Sequence, residues 1–268
     1  MLSGYEIAVA GLAAAAAGLI NAIAGGGTLV SFPALIALGI SDIAANITNT
    51  VALCPGYLGG VIAQREDLKG QTKRMWLLIP AGIIGSIAGS ILLLIASEQV
   101  FHLLIPFLIL FSSFLLAVQY RIRNWIRNLS DPSSDAGRNR VAVIPVGLAA
   151  VYGGYFGAGL SVIVLAVLGL FYDDSLARLN ALKQCLSLSI NVASAIFFLF
   201  SGLVIWPLAL VMAVGALAGG AAGSPTRRAY RGYVGLGPVT GRIRPDPGVR
   251  RRNTAAHGGD AHHGVPGA

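Results

Sequence analysis

The chain has 268 residues, of which 55% are hydrophobic and 11% charged, with a mean hydropathy of +0.74. This excludes an ordinary soluble globule, and several runs could each supply the ~20 apolar residues that cross a bilayer. The formal charge of +8 would suggest a polyanionic partner, but residues 224–268 hold eight arginines against two aspartates and leave 11 Lys+Arg against 9 Asp+Glu before them, so nucleic-acid binding is not expected.

The first 24 residues contain Glu6 but no Lys or Arg. The cationic n-region of a cleavable signal peptide is missing, so 5–24 is expected to stay as a first membrane helix, its small residues permitting close packing. The run Asn21-Ala-Ile-Ala-Gly-Gly-Gly-Thr-Leu-Val-Ser-Phe-Pro33 then interrupts the apolar pattern. In hydrocarbon each unsatisfied backbone group costs several kcal/mol, so such a break survives only where protein or a watery cavity supplies partners. Gly25, Gly26 and Gly27 let the chain turn at positive φ, Thr28 or Ser31 can cap a new helix over 28–40, and its free N–H groups would face the gap. Broken helices of this kind line transporter sites, while the plainer reading is a glycine-rich packing face.

Ser41-Asp42 reads as a connection, and Asn46 to Gln64 as an apolar segment with a kink at Cys54-Pro55-Gly56. Residues 65–74 form a solvated loop with four cations. Met75 to Ala96 is the next span, with Gly82, Gly85 and Gly89 as packing residues along one side. Ser97-Glu98-Gln99 turns the chain into Val100 to Tyr120, and the linker 121–140 carries five arginines. The second half follows over 141–170 with its own break, then Asn180 to Ser201 and Leu203 to about Gly223. Cys54 and Cys185 lie in apolar segments and make neither a disulfide framework nor a zinc site; no metal or cofactor is expected.

The two halves repeat. At an offset of 130 residues Gly27 meets Gly157, Ser31 meets Ser161, Trp76 meets Trp206, and Gly85-x-x-Ala88-Gly89 meets Gly215-x-x-Ala218-Gly219. With about four extra residues in the second copy, Asn46-Ile-Thr-Asn49 matches Asn180-Ala-Leu-Lys183. The expected organisation is an all-α polytopic membrane protein of two pseudo-symmetric halves: a first repeat over 1–120, a cytoplasmic linker over 121–140 and a truncated second repeat over 141–223. The counterpart of Val100 to Tyr120 should fall at 230–250, yet no apolar span stands there and the eighth-helix region is missing. Residues 224–268 hold nine glycines, five prolines and three of the four histidines. Two accounts stay open: a disordered tail, with His257, His262 and His263 as metal ligands, or a shifted reading frame, which also explains the lost helix.

The loop 65–74 and the linker 121–140 concentrate Lys and Arg, which places both in the cytoplasm and 97–99 outside. Ser201-Gly202, the counterpart of the cationic loop, carries no cation. An inverted repeat puts that turn outside and fits better than a parallel repeat with four spans per half.

The run Gly18-Leu-Ile-Asn-Ala-Ile-Ala-Gly-Gly-Gly-Thr-Leu-Val-Ser-Phe-Pro-Ala-Leu35 followed by Ala45-Asn-Ile-Thr-Asn-Thr50 closely resembles the sulfite exporter TauE/SafE family of membrane permeases. The second half resembles it again in Tyr152-Gly-Gly-Tyr-Phe-Gly-Ala-Gly159, Leu179-Asn-Ala-Leu-Lys183 and Phe200-Ser-Gly-Leu-Val-Ile-Trp-Pro207, so that the similarity covers residues 5 to about 223. The resemblance implies a multi-pass inner-membrane secondary transporter that exports sulfite or small sulfonate and other organosulfur anions. Its partners are then the bilayer and a small anion; the oligomeric state is not read from sequence. An anion channel or a permease for another small organic anion is the alternative.

Candidate contacts for the substrate are Gly25, Gly26, Gly27, Thr28 and Ser31 at the first break, Gly157, Gly159 and Ser161 at the second, and Asn46, Thr48, Asn49, Asn180 and Lys183 as a polar cluster at the pseudo-symmetry centre. For Asn46 and Asn180 helix capping is the competing reading. Lys183 is the one Lys or Arg inside the apolar segments. It either supplies positive charge to an anion or snorkels to the interface. His102 reads as interfacial and Arg178 as a loop ion pair with Asp173 or Asp174. Enzymatic work is not expected, because no carboxylate lies in an apolar segment near either break and no histidine lies between His102 and His257.

Overall fold

The computed structural model describes residues 3–23, 26–128, 141–172 and 174–234, and among these every regular element is helical. In chain order they are α1 (Gly4–Ile23), α2 (Thr28–Ala37), α3 (Asp42–Ala63), α4 (Thr72–Ile95), α5 (Glu98–Asn128), α6 (Val143–Tyr155), α7 (Leu160–Phe171), α8 (Leu176–Leu199) and α9 (Trp206–Val234). Met1–Ala229 forms one compact unit. Of the second unit, Tyr230–Ala268, only 230–234 is described, and it is helical.

Local chemistry sets the helix ends. α3 starts at Asp42 rather than Asn46 because Ser41 takes the N-cap position, Asp42 lies in the positively polarised first turn, and Glu98 Oε1 accepts the Ile43 N–H at 3.2 Å. Likewise α8 starts at Leu176 rather than Asn180, because Ser175 Oγ accepts the Arg178 N–H at 3.4 Å. Pro55 lies inside α3, which continues through it. α5 runs on to Asn128 into the arginine-rich linker, and α9 to Val234, past Gly223.

Among the described residues four segments are long and apolar enough to cross a membrane: Gly4–Asn21, Thr72–Ile95, Glu98–Leu115 and Leu176–Leu199. α2, α6 and α7 have 10, 13 and 12 residues. At 1.5 Å per residue they reach only about 15–20 Å, roughly half of a ~30 Å hydrocarbon core.

Glycines let two helix pairs close in the same way. A Cβ at Gly85 or Gly89 of α4 would collide with the carbonyl oxygens of Gly147 and Val151 on α6, and one at Gly154 of α6 with that of Ser86. In the other pair, a Cβ at Gly215 or Gly219 of α9 would collide with the carbonyls of Gly11 and Ala15 on α1, and one at Gly18 with that of Ala216. Each contact of one pair has its counterpart in the other, 130 positions along for α4 and α9 and 136 for α1 and α6. In both pairs the residue numbers rise together, so the paired helices run parallel.

The connections gather at two ends. Arg74 at the start of α4 meets Asp174, between α7 and α8, at 2.6 Å; Arg178 donates to Lys69 O at 2.9 Å, and Gln71 to Arg178 O at 2.9 Å. Arg74 also lies 4.5 Å above the Tyr172 ring. At the other end, His102 Nδ1 lies 2.6 Å from Asp42 Oδ2, and Thr48 Oγ1 accepts the N–H of Ile205 at 3.1 Å.

Candidate functional site

The two breaks are built differently. In the first, Gly26 has φ +100°, and Gly27 has ordinary helical φ; Gly27 must be glycine because a Cβ there would strike the Ala17 carbonyl oxygen. Neither Thr28 nor Ser31 caps α2, since Gly27 itself holds the N-cap position and no side chain makes that bond. Ser31 Oγ turns back to Gly27 O at 3.4 Å, and Asn21 Oδ1 accepts the Gly27 N–H at 2.8 Å. Gly25 lies outside the described residues.

In the second break Gly157 has φ +78° and Gly159, the N-cap of α7, φ +73°. The buried carbonyl of Ala158 takes a hydrogen bond from the Tyr152 hydroxyl at 2.7 Å and lies 2.9 Å from Ser112 Oγ, which is itself 2.7 Å from the Tyr152 oxygen. α5 thus reaches into this break through Ser112. Phe156 packs edge-on to Phe32 with centroids 5.2 Å apart, and Phe101 flanks both at 6.3 and 6.5 Å. Each such pair contributes about 0.5–1.5 kcal/mol beyond its buried area.

Between α3 and α8 runs a buried polar seam. On α8 it consists of Asn180, Lys183, Gln184, Ser187, Asn191 and Ser194, all at most 7% exposed. α3 contributes Asn46, Asn49, Thr50 and Tyr57, likewise buried. The helices are antiparallel: Asn180 donates to Gln64 Oε1, and a Cβ at Gly60 would collide with the Gln184 amide. At the middle, the Tyr57 hydroxyl engages the side chains of Asn21 and Asn191. Tyr57 and Asn191 stand 134 positions apart, the same offset as Asn46 and Asn180. They are repeat counterparts in contact with each other, so the pseudo-symmetry relation passes between them.

The structure therefore splits the polar cluster expected from sequence. Asn46 donates to Tyr155 O at 2.9 Å, beside the second break. Asn180 sits at the opposite end of α3, beside Gln64; the distance from Asn46 to Gln64 along the helix is roughly 27 Å. Asn49 is buried one turn beyond Asn46, and Lys183, 3% exposed, one turn beyond Asn180. Thr48 serves as an acceptor for Ile205 N–H. Thr28, Ser31 and Ser161 are buried in the first turns of α2 and α7.

Sequence reading missed Asn21, Tyr57, Gln64, Gln184 and Asn191, which join the two groups, and Ser112 and Tyr152, which hold the second break. The signal was there on α8: polar residues at 180, 183/184, 187, 191 and 194 recur at helical spacing through an apolar run. An unpaired buried acceptor costs about 1–3 kcal/mol. Along the seam Asn46 Oδ1, Asn49 Oδ1, Ser187 Oγ and Ser194 Oγ have no hydrogen-bond partner among the described residues.

The clamp at the Arg74 end lies outside the apolar segments. Burial raises the Asp174 carboxyl, but the bonds from Arg74, Arg178 and the Ser175 N–H outweigh it and hold the group below its ordinary value. Asp173 lies outside the described residues, as do His257, His262 and His263. Among the described residues no three His, Cys, Asp or Glu side chains gather as a metal site.

Comparison with known proteins gives a family match, described as "Sulfite exporter TauE/SafE", over residues 10–234. The chain is 26% identical to "Probable membrane transporter protein YfcA" of Escherichia coli (strain K12) over 84% of its own length and 81% of that protein. It is 25% identical to a "Probable membrane transporter protein" of Haemophilus influenzae, over 76% and 78% of the two lengths. Another, "Probable membrane transporter protein ORF9" of Sinorhizobium sp, is 25% identical over 80% of each. No solved structure matches.

Proposed function

The chain belongs to the sulfite exporter TauE/SafE family of membrane transporters, and from that premise we propose that it is an inner-membrane permease exporting sulfite or a small sulfonate or other organosulfur anion along the seam between α3 and α8. The observation that carries this reading is Lys183, a buried cation on the polar face of an apolar helix. A lysine is rare in such a place, and in a transporter it marks the ion path. The N-termini of α2 and α7, at Gly27 and Gly159, add partial positive charge of about half a unit each.

In this reading the substrate meets two half-sites in succession. One joins Asn180 and Lys183, the other Asn46 and Asn49; Gly26, Gly27, Thr28, Ser31, Gly157, Gly159 and Ser161 form the two breaks beside the path. We also read the repeat as inverted. Support comes from the parallel pairs: α6 runs beside α4 from the cationic Arg74 end, while α1 runs beside α9 from the end where Ile205 meets Thr48. Equivalent helices then enter from opposite faces, and each break is the tip of a hairpin that returns to its own side.

The test is counterflow in proteoliposomes with labelled sulfite, against sulfate, acetate and chloride. Saturable counterflow selective for sulfite or a sulfonate is expected. Currents of many ions per opening would mean a channel instead.

A further inference from the structure

We propose that Asn46 and Asn49 form a binding site for a monovalent cation, sodium, at the second break. It deepens the transporter reading by naming a coupling ion, and its binding test does not depend on that reading.

Asn46 gives its amide N–H to Tyr155 O at 2.9 Å, and only the NH₂ group can face a carbonyl, so the orientation of this amide is fixed. Its Oδ1 is left buried with no donor among the described residues, and so is Oδ1 of Asn49. Positions three apart on a helix share a face, so both oxygens belong to one side of α3. Both residues are 1% exposed.

What lies next to them is also acceptor-rich. α6 ends at Tyr155, and the carbonyls of its last turn stand at the negative end of the helix dipole, although Tyr152 O, Gly154 O and Tyr155 O each accept a hydrogen bond. The Thr50 hydroxyl is committed to Asn46 O at 2.9 Å and supplies no proton to the amide oxygens. The two unmet amide oxygens and the end of α6 favour a cation here, and a cation so held can in turn meet the passing anion. A proton alone has no base to bind, since carboxamides do not titrate in the accessible range. A hard monovalent cation, which takes oxygen ligands from amides and from helix C-termini, fits these groups.

The repeat supplies an independent reason. The counterpart of Asn49 is Lys183, equally buried. In one half a covalently fixed ammonium stands one turn into the helix; in the other the same place holds a neutral amide with an unmet oxygen. A mobile cation at Asn49 would restore the charge that pseudo-symmetry expects.

The experiment measures thermal unfolding of the full-length protein in lipid nanodiscs with sodium, potassium or choline chloride at equal ionic strength, together with direct binding of labelled sodium. Sodium at about ten times its dissociation constant is expected to raise the midpoint by about 3 °C over choline. Asn46→Ala and Asn49→Ala should each weaken half-saturation about tenfold or more. Asn49→Lys should hold the sodium-loaded midpoint in choline and ignore sodium. Equal midpoints in sodium and choline with no labelled sodium bound, or unchanged half-saturation in both alanine variants, overturns the site. Sodium-specific binding without sulfite counterflow would keep the site and reject the substrate reading; sulfite counterflow without sodium binding would do the reverse.

Discussion

The two glycine breaks share a sequence motif and a repeat position, yet different parts of the chain hold them. At the first, a single amide from α1, Asn21, takes the Gly27 N–H and passes the connection to Tyr57 and Asn191 in the polar seam. At the second, two hydroxyls converge on one carbonyl, and one of them, Ser112, comes from α5. α5 belongs to the first half and braces the break of the second. Its counterpart at 230–250 carries arginine, glycine and proline where apolar residues should stand; among the described residues the first break is held by its own helix and the seam. Equal motifs do not make equal joints when different side chains fasten them.

The packing pairs should behave alike where the breaks do not. Gly18→Val and Gly154→Val strike equivalent backbone carbonyls across tight pairs, Ala216 and Ser86. Both are expected to remove folded protein from the membrane, a loss above about 4 kcal/mol each, read as detergent-extracted monodisperse yield. Gly26→Ala and Gly157→Ala place a Cβ at positive φ at a cost of about 1–2 kcal/mol. These variants should still insert but lose transport; equal loss of insertion and transport would make the breaks packing elements.

A finer comparison concerns the fixing groups. Asn21→Ala leaves the Gly27 N–H and the Tyr57 hydroxyl short of a partner and is expected to cost about 2 kcal/mol and most of the transport rate. Ser112→Ala leaves Tyr152 on Ala158 O and should cost about 1 kcal/mol, with Ser112→Ala plus Tyr152→Phe costing more than the two singles together, as a double-mutant cycle of unfolding midpoints would record.

The difference between fixing groups also explains what was legible in the sequence. Glycine spacing, the 130-residue offset and the apolar runs are local patterns, and they located both breaks, the helices and the packing role of Gly85 and Gly89. Which side chain fastens a break is settled by tertiary contact. Ser112 lies 46 residues from Ala158, and no local period points from one to the other. The expected single cluster is split for a similar reason: Asn46 and Asn180 lie near the starts of antiparallel helices, so equivalence in sequence puts them at opposite ends of the seam. Thr28 and Ser31 fit the usual capping residues, but the tight approach at Gly27 and the Asn21 amide did that work.

At the two ends the contrast is between an arginine clamp and a histidine pair. Asp174, with its pKa lowered, contributes stability that is fully present above the ordinary carboxylate value of about 3.9 and is lost as pH falls through the lower folded value. Asp174→Asn is expected to remove about 2 kcal/mol at neutral pH, and the gap between variant and wild-type midpoints should close in strong acid. The smallest effect concerns the tail from about Ser224, which we read as a shifted frame. Resequencing the coding DNA should reveal a nearby insertion or deletion whose repair restores an apolar helix and a brace for the first break. A confirmed frame rejects that account.

Lys183 is the residue on which an anion path along the seam depends most directly. Sulfite counterflow by wild type, Lys183→Gln and Lys183→Arg, reconstituted at equal density, should show half-saturation raised at least about tenfold in the glutamine variant and partly restored by arginine, whose planar guanidinium is larger than the ammonium. Unchanged half-saturation in Lys183→Gln would contradict an anion path along the α3–α8 seam.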